Sequence, residues 1–149
     1  MISTILYRKD GRYTGFQGKG HSGYAEAGSD IVCAAVSILS VTCVNALESQ
    51  LGIRVSAKVR EEDGMLAFDL PRLEGEKASG AQLLMGALGQ GLSDLQEAYP
   101  EYVKFDIFDI KDAADEEVNM KKIDFYKKNI HFLLNKFHFD MNFFCMKLY

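Results

Sequence analysis

Cysteine is scarce in this chain and odd in number: Cys33, Cys43 and Cys145. An odd count implies no disulfide framework and suits a reducing compartment. Cys33 and Cys43, if they share one helix, sit roughly 15 Å apart at 1.5 Å rise per residue, beyond bridging distance. Also missing is any uninterrupted run of about 18 apolar residues. The start, Met1-Ile2-Ser3-Thr4-Ile5, goes straight into alternation without a charged region and cleavage site. These absences exclude a simple membrane span and a secretory leader, and they predict a cytoplasmic protein with no membrane partner. Basic charge is thin over most of the length. Residues 1–119 carry 11 basic and 19 acidic side chains, a balance of −8, while 120–149 carry 6 and 2, a balance of +4. A body at −8 repels a phosphate backbone, so direct nucleic-acid binding is not expected, and a cationic peptide suits it better.

What is present is one domain's worth of chain, 149 residues with 48% apolar side chains, enough to bury a core. Residues 2–8 and 12–17 are strand-like and flank Lys9-Asp10-Gly11, a hairpin signal. From Asp30 to about Leu51 runs a helical pattern with no Gly or Pro and apolar residues all round, including Ile31, Ala34, Ala35, Ile38, Val41 and Ala46. That predicts a fully buried helix, with Ser29 or Asp30 as N-cap and Gly52 as its stop. Ile53–Arg60 and Met65–Leu70 alternate around Glu61-Glu62-Asp63-Gly64, a second hairpin ending at Pro71. Leu84, Leu88, Leu92 and Leu95 mark a second helix over about Ser79–Tyr99, ended by Pro100. Its Gly80, Gly86, Gly89 and Gly91 each weaken it by about 1 kcal/mol relative to alanine, so they predict close packing against a neighbour. Glu101–Ile110 closes the series as a strand with Val103, Phe105 and Ile107 against Lys104 and Asp106. The order is ββαββαβ, an α+β domain with a mainly antiparallel sheet and two helices packed on it.

Asp112–Glu117 is an acidic linker. Residues 120–149 have no Gly, Ala or Pro yet hold 8 of the 17 aromatics. That shift predicts a domain over 1–112 and an appended or flexible tail over 113–149, with a C-terminal amphipathic helix over Phe125–Phe139 as the other reading.

The chemistry concentrates in Gly20-His21-Ser22-Gly23-Tyr24-Ala25-Glu26-Ala27-Gly28-Ser29-Asp30-Ile31-Val32-Cys33. Gly18, Gly20, Gly23 and Gly28 predict a mobile loop that carries His21 to Cys33 in the first turn of a helix. First-turn amides, the helix dipole and a nearby imidazolium all favour thiolate over thiol. The Cys33 N–H and its neighbours are also expected to face a developing oxyanion. Against this stands the commoner role of cysteine on an apolar helix, a small buried hydrophobe, and Cys43 reads that way. His131 and His138 belong to the tail and read as surface groups. One His and one Cys with scattered carboxylates do not make the clustered ligand set of zinc, so no metal and no cofactor are expected. Gly18-Lys19-Gly20-His21-Ser22-Gly23 spells G-x-G-x-x-G, but it follows a hairpin strand and opens no helix at once, which excludes the dinucleotide reading.

Gly20–Ala25 followed by Gly28-Ser29-Asp30-Ile31-Val32-Cys33-Ala34-Ala35-Val36-Ser37 closely resembles the signature of the bacterial ribosomal-processing cysteine proteases, the Prp family. The resemblance extends over about 1–112 and leaves 113–149 unmatched. It implies a thiol endopeptidase, a hydrolase of ribosome biogenesis. Such an enzyme removes the N-terminal extension of the large-subunit ribosomal protein numbered twenty-seven by cutting after Phe-Phe. It also implies Cys33 as nucleophile, His21 as general base and acid, Asp30 and Ser37 as supporting residues, and a homodimer. Asp30 either orients His21 or only caps the helix. The competing reading is a non-catalytic module that holds a basic ribosomal segment through its acidic surface.

Overall fold

The computed structural model describes residues 1–111 other than 27, 61 and 62. The linker and the tail, with His131, His138, Cys145 and the alternative helix over Phe125–Phe139, lie outside the described residues. Strands β1 (Ile2–Lys9) and β2 (Arg12–Lys19) meet at Asp10 and Gly11, whose φ angles are 50° and 74°. A two-residue hairpin turn of matching twist needs positive φ at both positions, which Asp-Gly supplies. Helix α1 (Ile31–Leu51), β3 (Ser56–Arg60), β4 (Met65–Asp69), α2 (Gly75–Ala98) and β5 (Val103–Ile110) follow, in the expected ββαββαβ order.

The five strands lie in the order β3-β4-β2-β1-β5. Every pair is antiparallel except β1 with β5, which run parallel from Ile2 opposite Val103 to Lys9 opposite Ile110. Ile2, Leu6, Phe16 and Phe68 join Val32, Val44, Leu47, Met85 and Leu92 in one core. Phe16 and Phe68 are cross-strand partners with ring centroids 5.5 Å apart. Each such side chain taken out of water contributes about 1.5–3 kcal/mol before chain entropy is set against it.

Asp30 is the N-cap of α1, and Gly52 ends it with φ 61° and an N–H bonded back to Glu48 O and Leu47 O. The expectation that α1 is buried all round does not hold: Ile31 is 55% and Ile38 44% exposed. Only one side of the helix meets the sheet and α2, and it buries Val32, Val36, Val41, Val44 and Leu47. By length and hydropathy α1 could cross a membrane, but these residues are spent in the core.

Helix α2 begins at Gly75, four residues before the expected Ser79, because Gly75 takes φ 60° and turns the chain into the helix after the extended Glu74. Close packing explains three of its glycines. A Cβ at Gly80 would meet Leu51 at 2.9 Å, one at Gly91 Leu39 at 3.0 Å, and one at Gly89 Leu6 at 2.9 Å. Gly86 has nothing within 4 Å, and nothing in the structure explains it. Strand β3 starts at Ser56 rather than Ile53, since Ile53 drops into the core directly after the helix cap. The expected alternation of β5 also lapses, because at the sheet edge Ile107 and Phe108 are both exposed.

Gly18 is not part of the loop. It lies buried in β2 between Thr4 and Leu66, where a Cβ would meet the Phe16 ring at 3.1 Å. The loop that feeds the site therefore runs from Gly20 to Asp30.

Candidate active site

A small pocket of about 60 Å³ opens where the head of α1, the end of β2 and the β3–β4 turn converge. Cys33, His21 and Ser37, three of the residues singled out in the sequence, line it together with apolar walls from Ile2, Phe16 and Leu66. Cys33 is buried and His21 exposed.

The loop is fastened on both sides of His21. Gly20 has φ 100° and donates its N–H to Asp63 O at 3.0 Å. The Met1 amino group donates to His21 O at 2.8 Å. Beneath the imidazole lies Gly64, where an added Cβ would stand 3.0 Å from His21 Cε1 and 2.9 Å from Gly20 O. The neighbouring Asp63 carboxyl is ion-paired with Arg60 and Lys19, and the Arg60 hydrogen bond holds it below its ordinary carboxylate value. Further on, the Tyr24 ring sits edge-on to Tyr99 and Tyr102, with centroids 5.7 and 5.2 Å away. Gly23 and Gly28 turn the chain at φ 70° and 91°.

Asp30 settles one open alternative and overturns one expectation. Its Oδ1 accepts from Val32 N at 3.1 Å and Cys33 N at 2.9 Å, while Oδ2 accepts from the Ser22 hydroxyl and from Ala25 N at 3.4 Å. Asp30 therefore caps the helix and holds Ser22, not His21. Burial pushes this carboxyl up, but the bonds from Cys33 N–H, Ser22 and Ala25 outweigh it and leave it below its ordinary value. The Cys33 N–H was expected to face a developing oxyanion, yet it is already committed to this carboxylate. An anionic cap also offsets part of the helix-dipole field that would favour a thiolate.

Ser22 is the residue that sequence reasoning passed over. It is 3% exposed, its backbone N–H donates to Cys33 Sγ at 3.3 Å, and its Oγ accepts from the Cys33 thiol at 3.6 Å and from Tyr24 N at 3.2 Å. A serine amid glycines gives no periodic signal. Its spacing of eight before Asp30 is the one clue, and that becomes a contact only through the fold. Among the described residues no hydrogen bond joins the His21 ring to Sγ. Cys43, on the same helix, faces α2 instead: its thiol donates weakly to Leu84 O at 3.8 Å, and burial pushes it up to about 12.

The chain has relatives of known family. The family model for cysteine protease Prp matches residues 1–104. The ribosomal processing cysteine protease Prp of Bacillus subtilis (strain 168) is 29% identical over 103 residues, which span 68% of this chain and 92% of that protein. The crystal structure of SMU.848 from Streptococcus mutans is 37% identical with a TM-score of 0.66, and the likeness covers 74% of this chain and 96% of that one. An essential ribosomal processing protease Prp from S. aureus, solved in complex with a covalently linked product peptide, is 25% identical with the same TM-score, over 72% and 99% of the two chains. With the family model spanning well over half of its length, and with a cysteine and a histidine lining one pocket at the head of α1, the chain belongs to the cysteine protease Prp family.

Proposed function

We propose that this cysteine peptidase removes the N-terminal extension of the large-subunit ribosomal protein numbered twenty-seven, cutting after Phe-Phe. Cys33 acts as nucleophile and His21 as general base and then general acid. The observation that carries this reading is that Cys33 and His21 line one pocket together. Cys33 Sγ attacks the scissile carbonyl. His21 takes the thiol proton and returns it to the leaving amine, after which water releases the acyl group. In the free enzyme Sγ is bonded to Ser22 rather than to the imidazole. Bound peptide is expected to bring the two reactive groups together, as active sites that tighten on binding do. Asp30 fixes the head of α1 and so the position of Sγ, and Ser37 lines the pocket one turn further on.

The apolar walls from Ile2, Phe16 and Leu66 suit an aromatic side chain of the substrate. The −8 balance of residues 1–119 suits its lysines. Support for a ribosomal substrate comes from the Bacillus subtilis and S. aureus relatives, which bear ribosomal processing in their names. On this reading the enzyme works in the cytoplasm as a homodimer, residues 1–112 are the protease domain and 113–149 an appended tail. Membership of a protease family leaves the purely binding module without a specific observation in its favour.

Incubation of the full chain with Leu-Gln-Phe-Phe-Ala-Ser-Lys-Lys, followed by mass spectrometry, tests the substrate and the bond. Products that end in Phe-Phe and begin with Ala are expected, and an intact peptide would sink the assignment. Sedimentation of the enzyme at micromolar concentration tests the dimer.

A further inference from the structure

We propose that the Ser22 hydroxyl is a positioning residue that accepts a hydrogen bond from the Cys33 thiol in the free enzyme and so opposes loss of the thiol proton until this hydroxyl turns or withdraws. The inference rests on Cys33 being the nucleophile and adds to it what restrains that nucleophile before substrate arrives.

The argument is one of hydrogen-bond polarity. A hydroxyl has one proton to give and two lone pairs to receive. The Ser22 Oγ has three partners: the Asp30 carboxylate, the Tyr24 N–H at 3.2 Å and Cys33 Sγ at 3.6 Å. The carboxylate can only accept, so the hydroxyl proton goes to Asp30. The Tyr24 N–H can only donate, so it takes one lone pair. The lone pair left over faces Sγ, and the sulfur completes the set only by donating its own proton. Ionisation of Cys33 therefore removes one bond and sets a thiolate against a lone pair in a site that is 3% exposed at Ser22. The Ser22 backbone N–H, 3.3 Å from Sγ, stabilises a thiolate and is untouched by side-chain substitution. Two parts of one residue thus act in opposite senses, and the side chain is the removable one.

Other groups facing the thiol do not reproduce this polarity. Among the described residues, His21 from the loop is the titratable group that lines the pocket beside Cys33, and Asp30 at the head of α1 is joined to Cys33 through the Ser22 hydroxyl and the Cys33 N–H. From β1, β2 and the β3–β4 hairpin come Ile2, Phe16, Gly18, Gly64 and Leu66, none of which titrates. The Asp63 carboxylate of that hairpin is engaged by Arg60 and Lys19.

The test is the rate at which iodoacetamide alkylates Cys33 in the full-length protein, read by peptide mapping so that Cys43 and Cys145 are counted apart. In this reaction the thiolate displaces iodide and the thiol proton passes to buffer. Ser22→Ala is expected to raise the rate at pH 7 about threefold, the size of one weak neutral hydrogen bond, and to move the rise of the pH–rate profile toward acid. Ser22→Thr, which keeps the hydroxyl, should stay at the wild-type rate. Should the alanine variant fold poorly by circular dichroism, the isosteric pair Ser22→Thr and Ser22→Val carries the comparison, with the valine variant faster. A rate unchanged or lowered on loss of the hydroxyl overturns the proposal. Peptide cleavage by Cys33→Ala would instead overturn the assignment of the nucleophile, and the alkylation result would stand apart from it.

Discussion

The backbone N–H of Cys33 donates to the Asp30 carboxylate at 2.9 Å. One acidic side chain therefore fixes the helix turn that carries the thiol, and its other oxygen holds the Ser22 hydroxyl of the loop that carries His21. Nucleophile and loop share one anchor, which makes their geometry and the stability of α1 respond to the same carboxyl.

Asp30→Ala is expected to cost about 1 kcal/mol of folding stability at pH 7, the usual worth of an N-cap, whereas Asp30→Asn, itself a good cap, should cost less. The pH dependence has a definite sign. The carboxyl titrates below its ordinary value in the fold, so its contribution is fully present above the unfolded value near about 4 and is lost as pH falls through the lower folded value. Urea unfolding of the wild type and the alanine variant should thus differ at pH 7 and converge in strong acid. A gap that widened on acidification would contradict this linkage.

The two described cysteines should separate cleanly. Cys33→Ala is expected to abolish cleavage while the fold survives, since one sulfur lost from a first helical turn leaves a small cavity worth about 1 kcal/mol. Cys43→Ala should cleave at the wild-type rate. Burial pushes the Cys43 thiol up to about 12, so its alkylation in the native protein at pH 8 should be negligible beside that of Cys33. Loss of cleavage in a folded Cys43 variant would reverse the two roles.

The elements set by local chemistry were legible from residue types. Asp10-Gly11 specifies its turn because both positions need positive φ, and Asp30 and Gly52 bracket α1 because each satisfies groups the helix leaves open. What escaped depends on partners far along the chain. The start of α2 was missed because Glu74 makes no side-chain cap bond that a sequence could advertise. The exposure of Ile31 and Ile38 follows from which side of α1 the sheet covers, and composition does not record that. At the site, Cys33 and His21 could be named by type and context. The committed Cys33 N–H and the Ser22 contacts to Sγ required the folded loop.

Gly64→Ala should injure catalysis while leaving the identities of Cys33 and His21 unchanged. The position has φ 55°, and the added methyl would press on Gly20 O at 2.9 Å and on the His21 ring at 3.0 Å. A displacement of the imidazole by a few tenths of an ångström is expected to lower kcat/KM about tenfold, and the strained backbone to cost about 1 kcal/mol. Alkylation of Cys33 should be little changed, because its hydrogen bonds among the described residues run to Ser22 and Asp30. A variant with unaltered turnover would mean that the imidazole does not rest on this turn during catalysis.

Specificity should divide into a steering part and a pocket part. Residues 1–119 carry a balance of −8, and a substrate with paired lysines beside paired phenylalanines offers both charge and aromatic surface. Surface acids steer with a strength that falls with ionic strength, since the Debye length shrinks from about 10 Å at 0.1 M to about 3 Å at 1 M. Added salt should therefore lower kcat/KM for the Lys-Lys peptide and hardly affect its Ala-Ala analogue. Replacing the Phe before the scissile bond by Ala should cost about 2–3 kcal/mol, roughly 30- to 150-fold in kcat/KM, at every salt concentration, because it empties an apolar pocket. Equal salt responses of the two peptides would remove the steering argument, and indifference to the Phe replacement would remove the pocket. The tail's Asn142-Phe143-Phe144-Cys145 carries a Phe-Phe pair of its own and a balance of +4 over 120–149. Both features match what the site is expected to prefer, so a variant ending at Ala113 should cleave faster if the tail competes for the pocket. Equal rates would mean that the tail never enters it.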